Sequence, residues 1–173
     1  ILLGGPAGSG KSYAARQVAG IMGLDFGFQG TALEPYDLTG YMDAGGNYHV
    51  TEFVRRFRDG GIMLLDELDN WDAGAVLVIN GALANNEMYL PNGETIKAHK
   101  DFIGIARANT FGQGATAEYP TRNKLDKSTL SRFAAKLDWS YDLEMEIGLA
   151  GDSMEHQNWV REIQTVRTIC ETL

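Results

Sequence analysis

The chain has 173 residues, of which 44% are hydrophobic, and a formal net charge of -8. This length and composition suit one α/β domain, with room for the beginning of a second. The net negative charge argues against sequence-independent binding of nucleic acid over a broad surface, because such binding needs clustered positive charge. No apolar run approaches membrane-spanning length and no signal peptide opens the chain, so we expect a cytoplasmic protein that does not contact a membrane.

The first predicted element is a glycine-rich loop between an apolar strand, Ile1–Leu3, and a helix that ends at Gly23. The loop fits the pattern G-x-x-x-x-G-K-[ST] at every fixed position. Glycines bring several backbone N–H groups to one point, where the helix N-terminus adds partial positive charge. The pattern therefore predicts a phosphate site. Its residues are Gly5, Pro6, Ala7, Gly8, Ser9, Gly10, Lys11, Ser12 and Tyr13.

Two side chains of this loop have predicted roles of their own. Lys11 would reach the β- and γ-phosphates of a bound nucleotide, and the Ser12 hydroxyl would hold Mg²⁺. The sequence begins inside the first predicted strand and lacks an initiator Met, so we expect it to be part of a longer protein.

Smaller elements are predicted between this loop and the next motif. Residues 24–33 suggest a short second strand and a loop, and Gly45–Asn47 a small hairpin. Thr51 can cap a helix that carries apolar residues on one side. The arginines on its other side are interpreted as a solvated face: Arg55, Arg56 and Arg58.

A continuously apolar run, Ile62–Leu65, predicts a central parallel strand, which we expect to lie beside the first strand. Asp66 and Glu67 follow it directly. We predict that Asp66 faces the Mg²⁺ held by Ser12, mostly through water. Glu67 would act as the general base that polarises an attacking water. A third acid, Asp69, is interpreted as a surface residue.

The next elements are a helix that ends near residues 85–86 and a hairpin that turns at Asn92-Gly93. A buried strand, residues 102–106, leads to Asn109. A neutral amide at a strand end can bond the γ-phosphate or the attacking water, but a strand-end Asn also commonly caps a turn. From the residues alone, both interpretations stay open.

The last third of the chain predicts a short helix capped by Asp126, a final strand over residues 134–137, and helices from Leu143 onward. Val160, Ile163, Val166 and Cys170 form one apolar stripe of the last helix. Cys170 is the single cysteine, which excludes an internal disulfide, and we predict a buried core thiol. Strands that alternate with helices predict a parallel sheet covered on both faces.

Four segments in order, GPAGSGKS, IMLLDE, ARANT and LDKSTLSRF, resemble the AAA+ ATPases, and more narrowly the MoxR-like and dynein-related branch. Two further segments resemble the hairpin insertions of that branch, DLTGYMDAGGNYHVTEF in the second helix and EMYLPNGETIKAHKDF before the sensor strand. The resemblance implies an α/β fold, the P-loop NTPase three-layer sandwich with a mostly parallel five-stranded sheet. It implies a nucleotide-binding core over 1–142 and, over 143–173, the incomplete beginning of a helical lid.

The resemblance also implies residue roles. Asn109 would be sensor 1, and Arg132 the arginine finger that meets the γ-phosphate in a neighbouring subunit. The alternative is a purely structural role, in which Arg132 neutralises the partial negative charge of a helix C-terminus. Arg122 is a second candidate for the finger. Arg161 and Arg167 do not stand in the expected sensor 2 motif, so no sensor 2 residue is assigned.

The leading functional expectation is a hexameric ring that binds ATP and Mg²⁺, hydrolyses ATP and remodels protein clients. The alternatives are a nucleic-acid motor of a restriction or phage system, a small-molecule kinase, and a nucleotide-gated scaffold with little turnover. A nucleic-acid motor would need basic pore hairpins, and only Lys97, His99 and Lys100 could serve. Tyr89 and Leu90 could touch a substrate in a ring pore or pack against a neighbour.

Overall fold

A computed structural model describes residues 1–172 of the chain, and the side chains of residues 1–170. The chain divides into two compact units, Ile1–Trp139 and a second that begins at Ser140. Among the described residues, no helix combines the length and the apolar character needed to span a bilayer.

The strands are β1 Leu2–Gly4, β2 Phe26–Gln29, β3 Tyr41–Met42, β4 Tyr48–His49, β5 Gly61–Leu65, β6 Glu87–Tyr89, β7 Thr95–Lys97, β8 Phe102–Ala108 and β9 Lys136–Asp138. The helices are α1 Lys11–Met22, α2 Tyr36–Thr39, α3 Glu52–Asp59, α4 Ala73–Asn85, α5 Lys127–Ser131, α6 Leu143–Leu149 and α7 Met154–Thr172. A 3-10 turn, Leu68–Asn70, follows β5.

Within the described residues, five strands form one sheet in the order β2-β5-β8-β1-β9, and every pair in it is parallel. All five residues of β5 are buried, as expected for a central strand covered on both faces. One face packs against α3 and α4 through Phe53, Phe57 and Ile79, and the other against α1 through Ala15 and Ala19. The predicted α/β class is confirmed.

The expected neighbour of β1 was wrong. The strand that ends before Asp66 is β5, and β8 lies between β5 and β1. A residue of β8 therefore stands between the glycine-rich loop and the two acids. Local sequence patterns predict strands, but not the order in which the connections place them in a sheet.

Both predicted hairpins are present, β3 with β4 and β6 with β7. In the second hairpin Met88, Leu90 and Ile96 are buried in the core, while Tyr89 on the opposite side is 73% exposed. Leu90 thus packs inside its own unit and is not available to a substrate, whereas Tyr89 points to solvent.

The prediction that the arginines of α3 form a solvated face was wrong for Arg56. The Arg56 side chain is only 12% exposed and forms ion pairs with Asp25 at 2.6 Å and Glu52 at 3.1 Å. The aliphatic stem of Arg56 is buried against the edge of the sheet, so the side chain is not solvated as predicted. Its buried guanidinium needs charged partners, which the two acids provide.

The predicted burial of Cys170 was also wrong, since the residue is exposed, as are Ile163 and Val166 of the same stripe. Within the second unit α7 turns another side to α6. Gln164 and Arg167 bond the Glu146 carboxylate at 3.0 and 2.9 Å, so polar side chains form that contact.

Candidate active site

The glycine-rich loop joins β1 to α1 at the carboxyl edge of the sheet. Gly8 and Gly10 have φ of 75° and 85°, a backbone region that glycine enters without strain. Gly5 lies against the backbone of Trp139, where a Cβ would come within 2.1 Å of the carbonyl oxygen. The Trp139 indole donates to the Ser9 carbonyl at 2.8 Å. The chain after β9 therefore supports the loop from behind.

Lys11 is buried inside this loop, with 2% of its surface exposed. Its Nζ donates to the Gly5 and Pro6 carbonyls at 2.9 and 2.5 Å and to Ser9 Oγ at 3.1 Å. Burial, and then the positive charge of Arg107, lower the pKa of Lys11 to about 8. Phosphate oxygens would be stronger partners for this ammonium than neutral carbonyls, because charge-assisted hydrogen bonds are about twice as strong.

Ser12 and Asp66 meet across one side chain of β8, Arg107. Arg107 Nη1 donates to Ser12 Oγ at 3.3 Å, and its Nε forms an ion pair with Asp66 Oδ1. Asp66 Oδ1 also accepts the Glu67 backbone N–H at 2.8 Å. Burial raises the pKa of Asp66, and the Arg107 charge opposes that rise. The hydroxyl and the carboxylate therefore face a common cation.

Glu67 follows in a left-handed backbone conformation with φ of 52°. Its carboxylate accepts two hydrogen bonds from the Arg122 guanidinium, both at 3.3 Å, and lies 3.6 Å from Arg107. The Arg122 side chain is 12% exposed. Arg122, the second candidate for a finger towards a neighbouring subunit, thus contacts the predicted base of its own chain.

The interpretation of Asp69 as a surface residue was wrong, because its exposure is 0%. Its Oδ2 accepts the backbone N–H groups of Asn109 and Thr110 at 3.1 and 3.2 Å and the Thr110 hydroxyl at 3.0 Å. Its Oδ1 lies 3.7 Å from Arg122 Nη1. The 3-10 turn after β5 directs this carboxylate inward, towards the end of β8.

Asn109 directly follows β8, and Asp69 fixes its backbone. The Asn109 Oδ1 is buried and accepts no hydrogen bond from any described residue. A buried polar atom without a partner is costly and calls for an explanation, for which a ligand is one candidate. This observation favours the ligand-facing interpretation of Asn109 over a turn cap.

Two predicted site residues with large side chains, Tyr13 and Arg132, are exposed. Tyr13 lies in the first turn of α1 with 68% exposure. Arg132 is the C-cap residue of α5 and is exposed. The structure brings together five predicted residues at the carboxyl edge of the sheet: Lys11, Ser12, Asp66, Glu67 and Asn109. Among the described residues, no hydrogen bond or ion pair joins the Arg132 side chain to them.

The residues at this edge fit a nucleotide with Mg²⁺. Ser12 and Asp66 offer the oxygen donors that Mg²⁺ prefers, and they already share one cationic neighbour. Among the described residues no group of three or more His, Cys, Asp or Glu side chains could hold a metal, so phosphates and water would have to complete the coordination. When bound there, Mg²⁺ would be held by Ser12 and Asp66 and would supply positive charge that offsets the charge of the phosphates.

Arg107 and the buried role of Asp69 were missed from the sequence. Arg107 is a residue of β8 two positions before Asn109, which directly follows the strand. Side chains two positions apart along a strand point to the same face of the sheet. That alternation is a signal that could have placed Arg107 at the site. For Asp69 the sequence holds no comparable signal, because its direction depends on a single 3-10 turn.

A parallel sheet with a glycine-rich phosphate loop after its β1 strand and acids after β5 defines a nucleotide-binding α/β domain of the P-loop class. The chain belongs to the AAA domain family, dynein-related subfamily, whose pattern it matches over residues 1–133. A comparison with curated proteins finds no match.

Solved structures share the fold at low sequence identity. NtrX from Brucella abortus has a TM-score of 0.67 and 18% identity, over 91% of this chain and 38% of NtrX. A Cytophaga hutchinsonii protein, provisionally described as an ATPase, has a TM-score of 0.65 and 22% identity, over 95% of this chain and 52% of its own. RuvB from Thermotoga maritima (a P216G mutant) has a TM-score of 0.59 and 18% identity, over 89% of this chain and 44% of RuvB. The chain thus spans about two fifths to half of these proteins.

Proposed function

We propose that this protein binds ATP with Mg²⁺ and hydrolyses its terminal phosphoanhydride bond. The observation that carries the proposal is the convergence of Lys11, Ser12, Asp66 and Glu67 at one edge of the sheet. Membership of the AAA domain family supports it. NtrX, similar to this chain with a TM-score of 0.66, has also been solved in complex with ADP.

Each residue has a separate task in the proposed reaction. The loop N–H groups and Lys11 bind the β- and γ-phosphates, and Ser12 with Asp66 supplies the protein ligands for Mg²⁺. Glu67 takes a proton from the attacking water, and Asn109 orients that water or the γ-phosphate. For Glu67 to act, its carboxylate must leave the paired hydrogen bonds of Arg122, so the arrangement described here is a resting one.

Arg132 is the proposed finger towards a neighbouring subunit. It is exposed at the end of α5, where a second copy could meet it, whereas Arg122 is engaged within its own chain. A guanidinium supplied across an interface stabilises the charge that develops on the transferred phosphoryl group. The proposed assembly is a hexameric ring.

We propose that the protein acts on protein clients. The basis is the resemblance of its two hairpins to the hairpin insertions of the MoxR-like branch. The exposed Tyr89 on the β6–β7 hairpin is a suitable contact. The net charge of -8 disfavours a nucleic-acid substrate, for which only Lys97, His99 and Lys100 stand on or beside that hairpin. The acceptor in the proposed reaction is water because Glu67 and Asn109 suit it, which disfavours a small-molecule kinase.

Replacement of Lys11 tests the nucleotide site. Lys11→Ala should abolish binding of a fluorescent ATP analogue in the presence of Mg²⁺, because it removes the charge that faces the β- and γ-phosphates. Lys127→Ala, an exposed lysine on α5, is the matched control and should bind as the wild-type protein does. Equal affinities of the wild-type and Lys11→Ala proteins would refute the assignment of the loop.

A further inference from the structure

One arginine of the site has no part in the function proposed above. Arg107 lies on β8, in register with Leu3 of β1, at the edge where the phosphate loop begins. Its guanidinium forms the ion pair with Asp66, donates to Ser12 Oγ at 3.3 Å and lies 3.6 Å from Glu67. Its side chain is 17% exposed. A fixed positive charge thus stands among the residues that would face the metal.

The position of this charge matters for binding a polyphosphate. Without a cation there, the phosphates would approach an Asp66 carboxylate that has lost its charged partner, and like charges at close range repel. Glu67 would still be paired with Arg122. A guanidinium stays protonated at any working pH, so Arg107 keeps one positive charge beside Asp66 permanently. A metal ion that approaches Asp66 must displace the same guanidinium or share the carboxylate with it.

We propose that Arg107 is a built-in cation of the phosphate site, which allows nucleotide to bind without Mg²⁺ and competes with Mg²⁺ for Asp66 and Ser12. The ligand is the polyphosphate of a nucleoside di- or triphosphate, so this inference rests on the proposed function. Two effects follow. Nucleotide affinity in the wild-type protein should depend little on Mg²⁺, and removal of the Arg107 charge should make it strongly dependent on Mg²⁺.

The test is the affinity for a fluorescent ADP analogue, measured once with Mg²⁺ and once in excess EDTA. ADP separates binding from turnover. We expect the wild-type protein to lose no more than about threefold in EDTA, and Arg107→Gln to lose about tenfold or more, the scale of one charge pair near a protein surface. Arg107→Lys, which keeps the charge, should stay close to wild type. Arg58→Gln is the matched control, because Arg58 is a half-exposed arginine whose ion pair is with its neighbour Asp59.

A second measurement tests the proposed competition with Mg²⁺. In a Mg²⁺ titration at fixed nucleotide, Arg107→Gln should reach half-saturation at a lower Mg²⁺ concentration than wild type, because Asp66 is then free. If Arg107→Gln does not fold, as judged by its thermal transition, the wild-type affinities in EDTA and Mg²⁺ and the Arg107→Lys protein still decide the matter.

The outcomes separate the two proposals. If the wild-type protein binds nucleotide with Mg²⁺ but loses about tenfold or more in EDTA, the role of Arg107 is refuted and the proposed function stands. The same holds if Arg107→Gln shows the wild-type ratio of the two affinities. If the wild-type protein binds no nucleotide even with Mg²⁺, the proposed function fails, and the role of Arg107 fails with it.

Discussion

Asp69 joins three parts of the site through one buried carboxylate. It accepts hydrogen bonds from the start of the loop after β8, at Asn109 and Thr110, and it faces the guanidinium of Arg122. Arg122 in turn holds Glu67. The position of the predicted sensor and the position of the predicted base therefore depend on the same acid, which the amino-acid sequence alone had not marked as important.

Replacement of Asp69 should be costly for stability. Asp69→Asn places an amide N–H₂ where a carboxylate oxygen met either two backbone N–H groups or a guanidinium, and a broken buried pair costs about 3 to 5 kcal/mol. We expect the free energy of unfolding in urea to fall by about 3 kcal/mol. Asp138→Asn, an exposed aspartate in the same unit, should change it by less than about 0.5 kcal/mol. Equal effects of the two changes would contradict the buried role of Asp69.

The sequence predicted the positions of those residues that depend on their immediate neighbours in the chain. Lys11 and Ser12 belong to a contiguous loop, and Asp66 and Glu67 directly follow an apolar strand. Arg107 and Arg122 contact residues that are distant in sequence, 95 positions away for Ser12 and 55 for Glu67. Their partners follow from the order of strands and the path of a loop, which no local pattern encodes.

At the scale of elements, the β6–β7 hairpin has two unlike sides. Met88, Leu90 and Ile96 face the core, and Tyr89 faces solvent. This alternation is the period of a strand, and the Asn92-Gly93 turn made the hairpin predictable from the sequence. Which of Tyr89 and Leu90 points outward depends on register, and that could be read only from the structure.

Truncation of these two side chains should separate stability from surface contact. Leu90→Ala should lower the free energy of unfolding by about 2 to 5 kcal/mol, because it leaves a cavity in the core. Tyr89→Ala should change it by less than about 0.5 kcal/mol, because the ring is exposed. Chemical denaturation of both variants measures the difference. A larger loss for Tyr89→Ala than for Leu90→Ala would mean that the hairpin register is wrong.

The sheet order is the part of the element arrangement that sequence reasoning missed. β5 and β1 were expected to be neighbours, yet β8 separates them and brings both Arg107 and Asn109 between the loop and the acids. Individual strands follow from apolar runs bounded by glycine or acidic residues. Their order follows from the crossover connections, whose lengths permit more than one arrangement.

At the scale of the whole molecule, the proposal to be tested is that a second copy of the chain completes the active site. Arg132 is exposed, and among the described residues its side chain forms no hydrogen bond or ion pair with the phosphate loop or the acids of its own chain. A cation supplied in trans acts only where two subunits meet, and such groups contribute about 10³ to 10⁵ in rate. Subunits with complementary defects should therefore rescue one another.

A mixing experiment tests this arrangement. Arg132→Ala should bind ATP but hydrolyse it very slowly, and Glu67→Gln should do the same for a different reason. In a mixed ring an Arg132→Ala subunit keeps its own Glu67 and can use Arg132 of its neighbour, so the mixture should regain activity. If sizing shows that mixed oligomers form and activity stays absent, the trans arrangement is wrong, and Arg122 becomes the residue to examine.

The most direct measurement of the central claim is ATP turnover by Glu67→Gln beside its affinity for ATP. If Glu67 is the general base, phosphate release should fall by about 10²-fold or more while ATP binding remains, because the amide cannot accept the proton of the attacking water. Glu155→Gln, an exposed glutamate of α7, should release phosphate at the wild-type rate. Undiminished phosphate release by Glu67→Gln would contradict the account.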